Sequence, residues 1–172
     1  MSKKIKIESE IESFFVRAVG VMLDGKNRVL LCRLEDDDLW VLPGGQVYLH
    51  ETLQEGVKRE LFEETNFEIK VQRLLWILEN FFIFNGKKFH SIEFYFLVTP
   101  AKATGVWEQD EFLGQEEQHS TDRSWVLDFK WFDISKLKEV NFKPTTFIEL
   151  LKDLPKHPMH VVWDDYGRHN HR

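Results

Sequence analysis

The chain carries 23 Lys and Arg against 29 Asp and Glu over 172 residues, and a formal charge of −6 at pH 7 gives no broad positive field for non-specific nucleic-acid or anionic-membrane binding. Hydrophobic residues at 42% and aromatics at 14% supply the apolar volume of one packed domain and exclude a disordered chain. A lone cysteine, Cys32, excludes an internal disulfide and a four-cysteine zinc site, fits a reducing compartment, and within an apolar run reads as a small buried hydrophobe. Residues 1–8 lack the apolar stretch of a secretory signal, and no segment approaches the roughly 18 apolar residues of a membrane span. The expectation is a cytoplasmic protein with no membrane partner and no bulk nucleic-acid partner.

Phe14 to Leu23 and Asn27 to Leu34 are rich in Val, Leu and Phe, and Asp24-Gly25-Lys26 between them supplies turn chemistry, which predicts a β-hairpin. A short strand from Leu39 to Leu42 stops at Pro43, and Gly44 and Gly45 then predict a sharp loop. Thr52 to Thr65 carries Leu53, Val57 and Leu61 four apart, with Asn66 suited to a left-handed end; this predicts a helix. Glu68 to Phe84 and Phe89 to Val98 read as strands joined through Asn85-Gly86. Ala101 to Arg123 is polar without a sustained period and reads as a long loop. Ser124 to Ile134 reads as a last strand, Pro144 to Leu154 as a terminal helix opening with proline, and the residues after Pro155 mostly as loop.

On a helical wheel at about 100° per residue, Glu60 and Glu64 fall in the same arc as Leu53 and Val57, with Glu63 beside them. A plain amphipathic helix puts its carboxylates across from its packed face, whereas three of these border it. Carboxylates three and four residues apart lie about 5–6 Å from one another and repel, and partial burial adds a desolvation cost. A cation must offset this, and an all-oxygen cluster suits a hard divalent ion, Mg²⁺ first. The competing reading is a solvated acidic face.

Gly45, Glu51, Arg59-Glu60-Leu61 and Glu63-Glu64 stand at the offsets Gly, five residues, Glu, seven residues, Arg-Glu-U-x-Glu-Glu-x-Gly-U, where U is a bulky apolar residue. Seven of the nine specified positions match, and the segment from Gly45 to Phe67 resembles the Nudix box. It departs at Asn66, where the family has glycine, and at Phe67, where an aliphatic residue is usual. Asn is the next residue after Gly to tolerate a left-handed helix end, so the cap is preserved. Trp40 to Gly45 is similar to the usual lead-in, and the resemblance covers roughly residues 14 to 155. It implies an α/β/α sandwich with a mixed β-sheet, residues 1–13 being an N-terminal extension, 14–155 a single domain and 156–172 a C-terminal tail.

The resemblance further implies hydrolysis of a nucleoside diphosphate linked to another group, by water attack on phosphorus with Mg²⁺ or Mn²⁺ as cofactor. Glu60, Glu63 and Glu64, with a backbone carbonyl of Gly44, would hold the metal, and Gly45 would let the backbone come close. One of the three acids would deprotonate the water, with Glu60 favoured, while Arg59 would orient the glutamates and Glu51 would brace the loop. Family members often draw a further acid from a later loop, and of Glu108, Asp110, Glu111, Glu116, Glu117 and Asp122 the first to test are Glu111 and Glu116. Trp107 and Phe112 are candidates to stack a base. The partner would be a small nucleotide, either a (deoxy)nucleoside triphosphate, oxidised or not, or a nucleotide sugar. Phe82, Ile83 and Phe84 lack the Pro or Tyr associated with enzymes for ADP-ribose or dinucleoside polyphosphates. The alternative is a nucleotide-sensing module of the same fold that binds without turnover. Homodimers are common among such proteins. His157, His160, His169 and His171 lie in a polar terminal region and read as solvated. The charge is uneven: residues 51–68 carry a net −4 and residues 108–122 a net −6.

Overall fold

The computed structural model describes residues 3–102, 105–117 and 124–166. Strands β1 (Lys6–Glu8), β2 (Glu12–Met22), β3 (Arg28–Leu34) and β4 (Gly44–Gln46) precede helix α1 (Leu53–Thr65). The long strands β5 (Ile69–Phe84) and β6 (Lys87–Pro100) follow, then a 3-10 turn (Gly105–Glu108), β7 (Glu111–Glu117) and β8 (Ser124–Asp133). A second 3-10 helix (Ile134–Glu139), the single-turn α2 (Phe147–Leu150) and β9 (Met159–Asp164) complete the described chain.

A six-stranded mixed sheet runs in the order β1-β2-β6-β5-β9, with β2 parallel to β6, β5 antiparallel to β6 and β9 parallel to β5. The outer edge of β2 is shared, residues 13–15 pairing with β1 and residues 17–19 with β4. Strands β3, β8 and β7 form a second, antiparallel sheet. Alternation along β2 sorts the two layers of core. Ala18 and Met22, with Phe96 and Val98 of β6, meet Val57 and Leu61 of α1. Val19 and Val21, with Leu78 and Tyr95, face the other way onto Leu137, Phe142, Phe147 and Leu151. The fold is thus mixed α/β, with α1 on one face of a mixed sheet and short helical turns against the other.

Helix α1 is the element most closely foreseen. Thr52 caps it, its hydroxyl accepting from the Glu55 N–H at 3.2 Å while Glu55 Oε2 accepts from the Thr52 N–H at 2.7 Å. This reciprocal box satisfies two of the donors a helix start leaves open. At the other end Asn66 adopts φ 58°, ψ 24°, the left-handed cap expected of it, and its N–H reaches the Phe62 carbonyl. Thr52→Ala is expected to destabilise the protein by about 1 kcal/mol in urea denaturation, through loss of the cap bond.

Several expectations need correction. The turn at Asp24 forms, with Asp24 Oδ1 accepting from the Lys26 and Arg28 N–H groups, yet the pairing of its two arms ends at the Leu23–Val29 bridge and β2 and β3 form no ladder. Both strands bury runs of four or more residues, so each is claimed by longer partners, β2 by β6 and β3 by β8. Leu39 to Leu42 makes isolated bridges only, and the glycines expected as loop form β4. Gly44 has φ 139°, and a Cβ there would overlap the Ala18 carbonyl, so its missing side chain lets β4 lie against β2. The expected loop after Pro100 contains β7, paired with β8 throughout its length. The terminal helix shrinks to α2, because residues 147–149 bond three back rather than four and no side chain caps the start. Strand β1, within the expected extension, and β9, within the expected tail, both join the large sheet.

Candidate active site

The acids of α1 lie where the wheel puts them. Glu60 and Glu64 are each 6% exposed, one turn apart on the packed side of the helix, while Glu63 is half-exposed beside them. The backbone of β4 passes directly over Glu60, for a Cβ on Gly45 would overlap the Glu60 carboxyl. The glycine at that position is therefore what makes room for the acid.

Arg59 holds the cluster together. Its Nε and Nη2 donate to the two oxygens of Glu51 at 3.0 and 2.7 Å, a bidentate pairing, and Nη1 donates to Glu60 Oε1 at 2.8 Å and Glu63 Oε2 at 3.0 Å. Nη2 also reaches the Gln46 carbonyl at 3.1 Å, and the guanidinium lies over the Tyr48 ring, 4.1 Å from its centroid. Glu51 in turn accepts the Tyr48 N–H at 2.6 Å, which braces the loop ahead of the helix. Burial pushes the Glu60 carboxyl up, and Arg59 offsets only part of this, so its pKa lies above the ordinary carboxylate range. Burial acts on Glu51 in the same sense, but the Arg59 and Tyr48 hydrogen bonds outweigh it and leave Glu51 low. Arg59, pushed down by burial and up by Glu51 and Glu60, ends above its usual value.

Among the described residues no three acidic, histidine or cysteine side chains converge on one ion-sized point, because Arg59 stands between Glu60 and Glu63. The donor set nonetheless fits a hard divalent ion: it is all oxygen, two members are buried, and burial has already destabilised the charge of Glu60. An ion there would compete with Arg59 for Glu60 and Glu63.

On the opposite face of the sheet from α1 lies a cavity of about 610 Å³, within the range of small-molecule sites. Arg17, Asn80, Glu93 and Tyr95 form its polar floor, and Leu39, Val41, Phe82 and Trp163 are among its apolar walls. Arg17 connects this cavity to the acidic cluster, since its Nη2 donates to the Gly44 carbonyl at 2.6 Å. The Gly44 oxygen expected to face a metal is therefore engaged by Arg17. Burial pushes the Arg17 guanidinium down, and Glu93, Tyr95 and Glu64 more than compensate.

The later acids fare differently. Along β7, Phe112 and Gly114 turn inward while Glu111 and Leu113 are exposed, so Glu111 points away from α1 and pairs with Lys130 at 3.1 Å. Glu116 lies on β7 opposite Trp125, and its side chain is outside the described residues, as is Asp122 entirely. Trp107, half-buried beside α1, packs edge-on against Phe67 at 5.5 Å and Phe112 at 5.8 Å. His160 meets Glu79 at the surface at 2.8 Å, and His169 and His171 lie outside the described residues.

Sequence reasoning passed over Arg17, Asn80 and Glu93. The signal was weak: Arg17 and Glu93 each interrupt an apolar stretch, but Asn80 follows Glu79 in a strand with several other polar residues. What one sequence lacks is the register, Arg17 opposite Glu93 and Asn80 opposite Ser91, that gathers them.

A family model described as NUDIX domain matches residues 14–151. A MutT-like protein of Streptomyces ambofaciens is 38% identical over 65 residues, which is 38% of this chain and 42% of that protein. A Bacillus subtilis (strain 168) protein with the provisional name ADP-ribose pyrophosphatase YjhB is 36% identical over 55 residues, 32% of this chain and 26% of that one. The matched stretch thus spans less than half of either relative. Among solved structures, a UDP-X diphosphatase superposes with TM-score 0.57 at 19% identity, over 86% of this chain and 66% of that one. A MutT protein from Bacillus halodurans gives TM-score 0.53 at 18% identity, over 88% and 92%. At such identities the two structures share the fold.

Proposed function

The chain belongs to the NUDIX domain family, and on that premise we propose that it is a pyrophosphohydrolase acting on a small nucleotide, with Glu60, Glu63 and Glu64 as ligands of Mg²⁺ or Mn²⁺. The observation that carries this reading is the burial of Glu60 and Glu64 on the packed arc of α1, against glycine backbone. Burial penalises both charges, and the Arg59 pairing only partly relieves Glu60, so a further cation there would be favoured. A divalent ion supplies charge neutralisation at the phosphate oxygens and an acidified water for attack on phosphorus.

The chain's own residues do the rest. Arg59 fixes the rotamers of Glu51, Glu60 and Glu63 at once, so the acids are aligned before substrate arrives. Arg17, tied to Gly44, stands between the acids and the cavity, in position to meet an anionic substrate whose organic end fills the cavity.

The names of two similar proteins add ADP-ribose and UDP-linked compounds to the nucleoside triphosphates expected from the sequence, and together these make one assay panel. With Mg²⁺ or Mn²⁺ present, release of mononucleotide or phosphate from at least one of them is the expected result. No turnover of any, with nucleotide binding retained, would overturn hydrolysis in favour of a sensing module.

A further inference from the structure

We propose that the outer edge of β9 is the contact surface between two copies of this chain, joined antiparallel about a two-fold axis at Val162 so that their mixed sheets run on as one. The inference stands apart from the nucleotide reading and needs no substrate to test it. Strand β9 ends the sheet order, and its pairing with β5 runs without a register shift. An edge strand templates pairing with another chain through its open main-chain groups unless something blunts it. At the opposite edge β1 is three residues long and carries Lys6 and Glu8, and β7, at one edge of the second sheet, carries Glu111, Glu116 and Glu117. In β9 the run His160-Val161-Val162-Trp163 holds no lysine, proline, glycine or acid, and Met159 and Val162 are 47% and 46% exposed.

Hydrogen bonding fixes what this edge offers. The Asp165 N–H donates to the Phe81 carbonyl at 2.9 Å, and Phe81 stands opposite Asp164, so in this parallel ladder Val161, Trp163 and Asp165 turn their main-chain groups toward β5. His160, Val162 and Asp164 turn theirs outward. With Val162 opposite the partner's Val162, His160 falls opposite Asp164 of the partner subunit, and all the outward residues exchange both of their bonds. A centre at Val161 would instead set Asp164 opposite Pro158 of the partner subunit, which has no N–H to give. A centre at Trp163 would set Val162 opposite the partner's Asp164 and lose the match of imidazole to carboxylate. The side chains agree with the first register: Val161 and Trp163 pack on the core from one face, and a two-fold axis perpendicular to the sheet keeps that face continuous across both copies. The same register brings the partner's Met159 beside Asp165, which lines the cavity, so each copy extends the wall of the other's cavity. A ladder of six residues is small beside a standard interface, so the dimer depends on concentration.

Sedimentation equilibrium on the full chain across the micromolar range is the first test, with a mass rising from 20.6 kDa toward twice that value as the expected result. Val162→Lys sets two like charges against each other on the axis and should hold the mass at one copy throughout. Val162→Cys reads the register. Across a hydrogen-bonded antiparallel pair the Cα atoms lie about 5.5 Å apart, within disulfide reach, so oxidation with copper phenanthroline should join most of this variant into a covalent dimer. His160→Cys is exposed on the same edge, but its counterpart in the second copy lies four residues away along the strand, about 13 Å, and it should crosslink at least roughly tenfold less. Cys32 is buried. A wild type that stays at one copy overturns the proposal. So does a dimer that survives Val162→Lys, or equal crosslinking at the two positions, because the copies then meet through another surface or by random collision. Misfolding cannot imitate the expected pattern, since it would expose both cysteines alike.

Discussion

Glu64→Gln is expected to lower Mg²⁺-dependent nucleotide hydrolysis on the order of 10²- to 10³-fold in kcat while leaving the folded structure intact. Glutamine keeps the size and shape of the side chain and removes only its charge. Glu64 is 6% exposed, so the charge is expensive to keep and its removal should not lower the melting temperature measured without divalent ion. The variant should also lose most of the rise in melting temperature that Mg²⁺ gives the wild type, because an ion that binds only the folded state stabilises it by mass action. A stable, inactive and metal-insensitive protein is therefore the expected outcome. Undiminished turnover would remove Glu64 from the site. An absence of any Mg²⁺-dependent rise in the wild type would instead favour a solvated acidic face. Glu60 is a less clean test, since Glu60→Gln also removes the charge of one of Arg59's partners.

Gly114→Ala is expected to cost about 3 kcal/mol in urea denaturation, the upper end of what overpacking does. A Cβ at Gly114 would overlap the Glu64 carbonyl and lie 2.6 Å from Phe129 Cε2. Neither can give way: the first is main chain of α1, and the second belongs to a fully buried ring stacked on Phe112 with centroids 5.0 Å apart. Gly25→Ala is the control, with nothing within 4 Å of its Cβ, and should change stability by no more than about 0.5 kcal/mol. Equal costs at the two sites would show that β7 does not pack closely on α1.

Local chemistry made α1 legible to within a residue. Thr52, the four-residue spacing of Leu53, Val57 and Leu61, and Asn66 all act within the helix they define. The acidic cluster was legible for the same reason, since its geometry follows from one helix. Four-residue spacing points Arg59 to Glu55 and Glu63, and it meets Glu63 while Glu55 closes the capping box with Thr52; its bidentate grip on Glu51 depends on how the preceding loop folds back, which no periodicity reports. Strand partners were the least legible. Asp24 fixed a turn without fixing a hairpin, because long-range pairing with β6 and β8 outbid the local alternative. Strand β7 escaped notice because Gly114 and three acids give it the composition of a loop. Its inward positions are nevertheless a phenylalanine and the glycine that allows close approach to α1. The cavity floor required register across three strands, so Arg17, Asn80 and Glu93 carried no joint signal along the chain.

Arg59 gives the protein an occupant for its acidic pocket from the moment the chain folds. Without it, Glu51, Glu60 and Glu63 would repel one another until an ion arrived, and the fold would wait on divalent supply. With a tethered cation in place, the acids are organised without a divalent ion. On the metal-site reading proposed above, an incoming ion would displace one resident charge from two carboxylates that are already aligned, and the depleted protein would rest as an organised, reloadable shell.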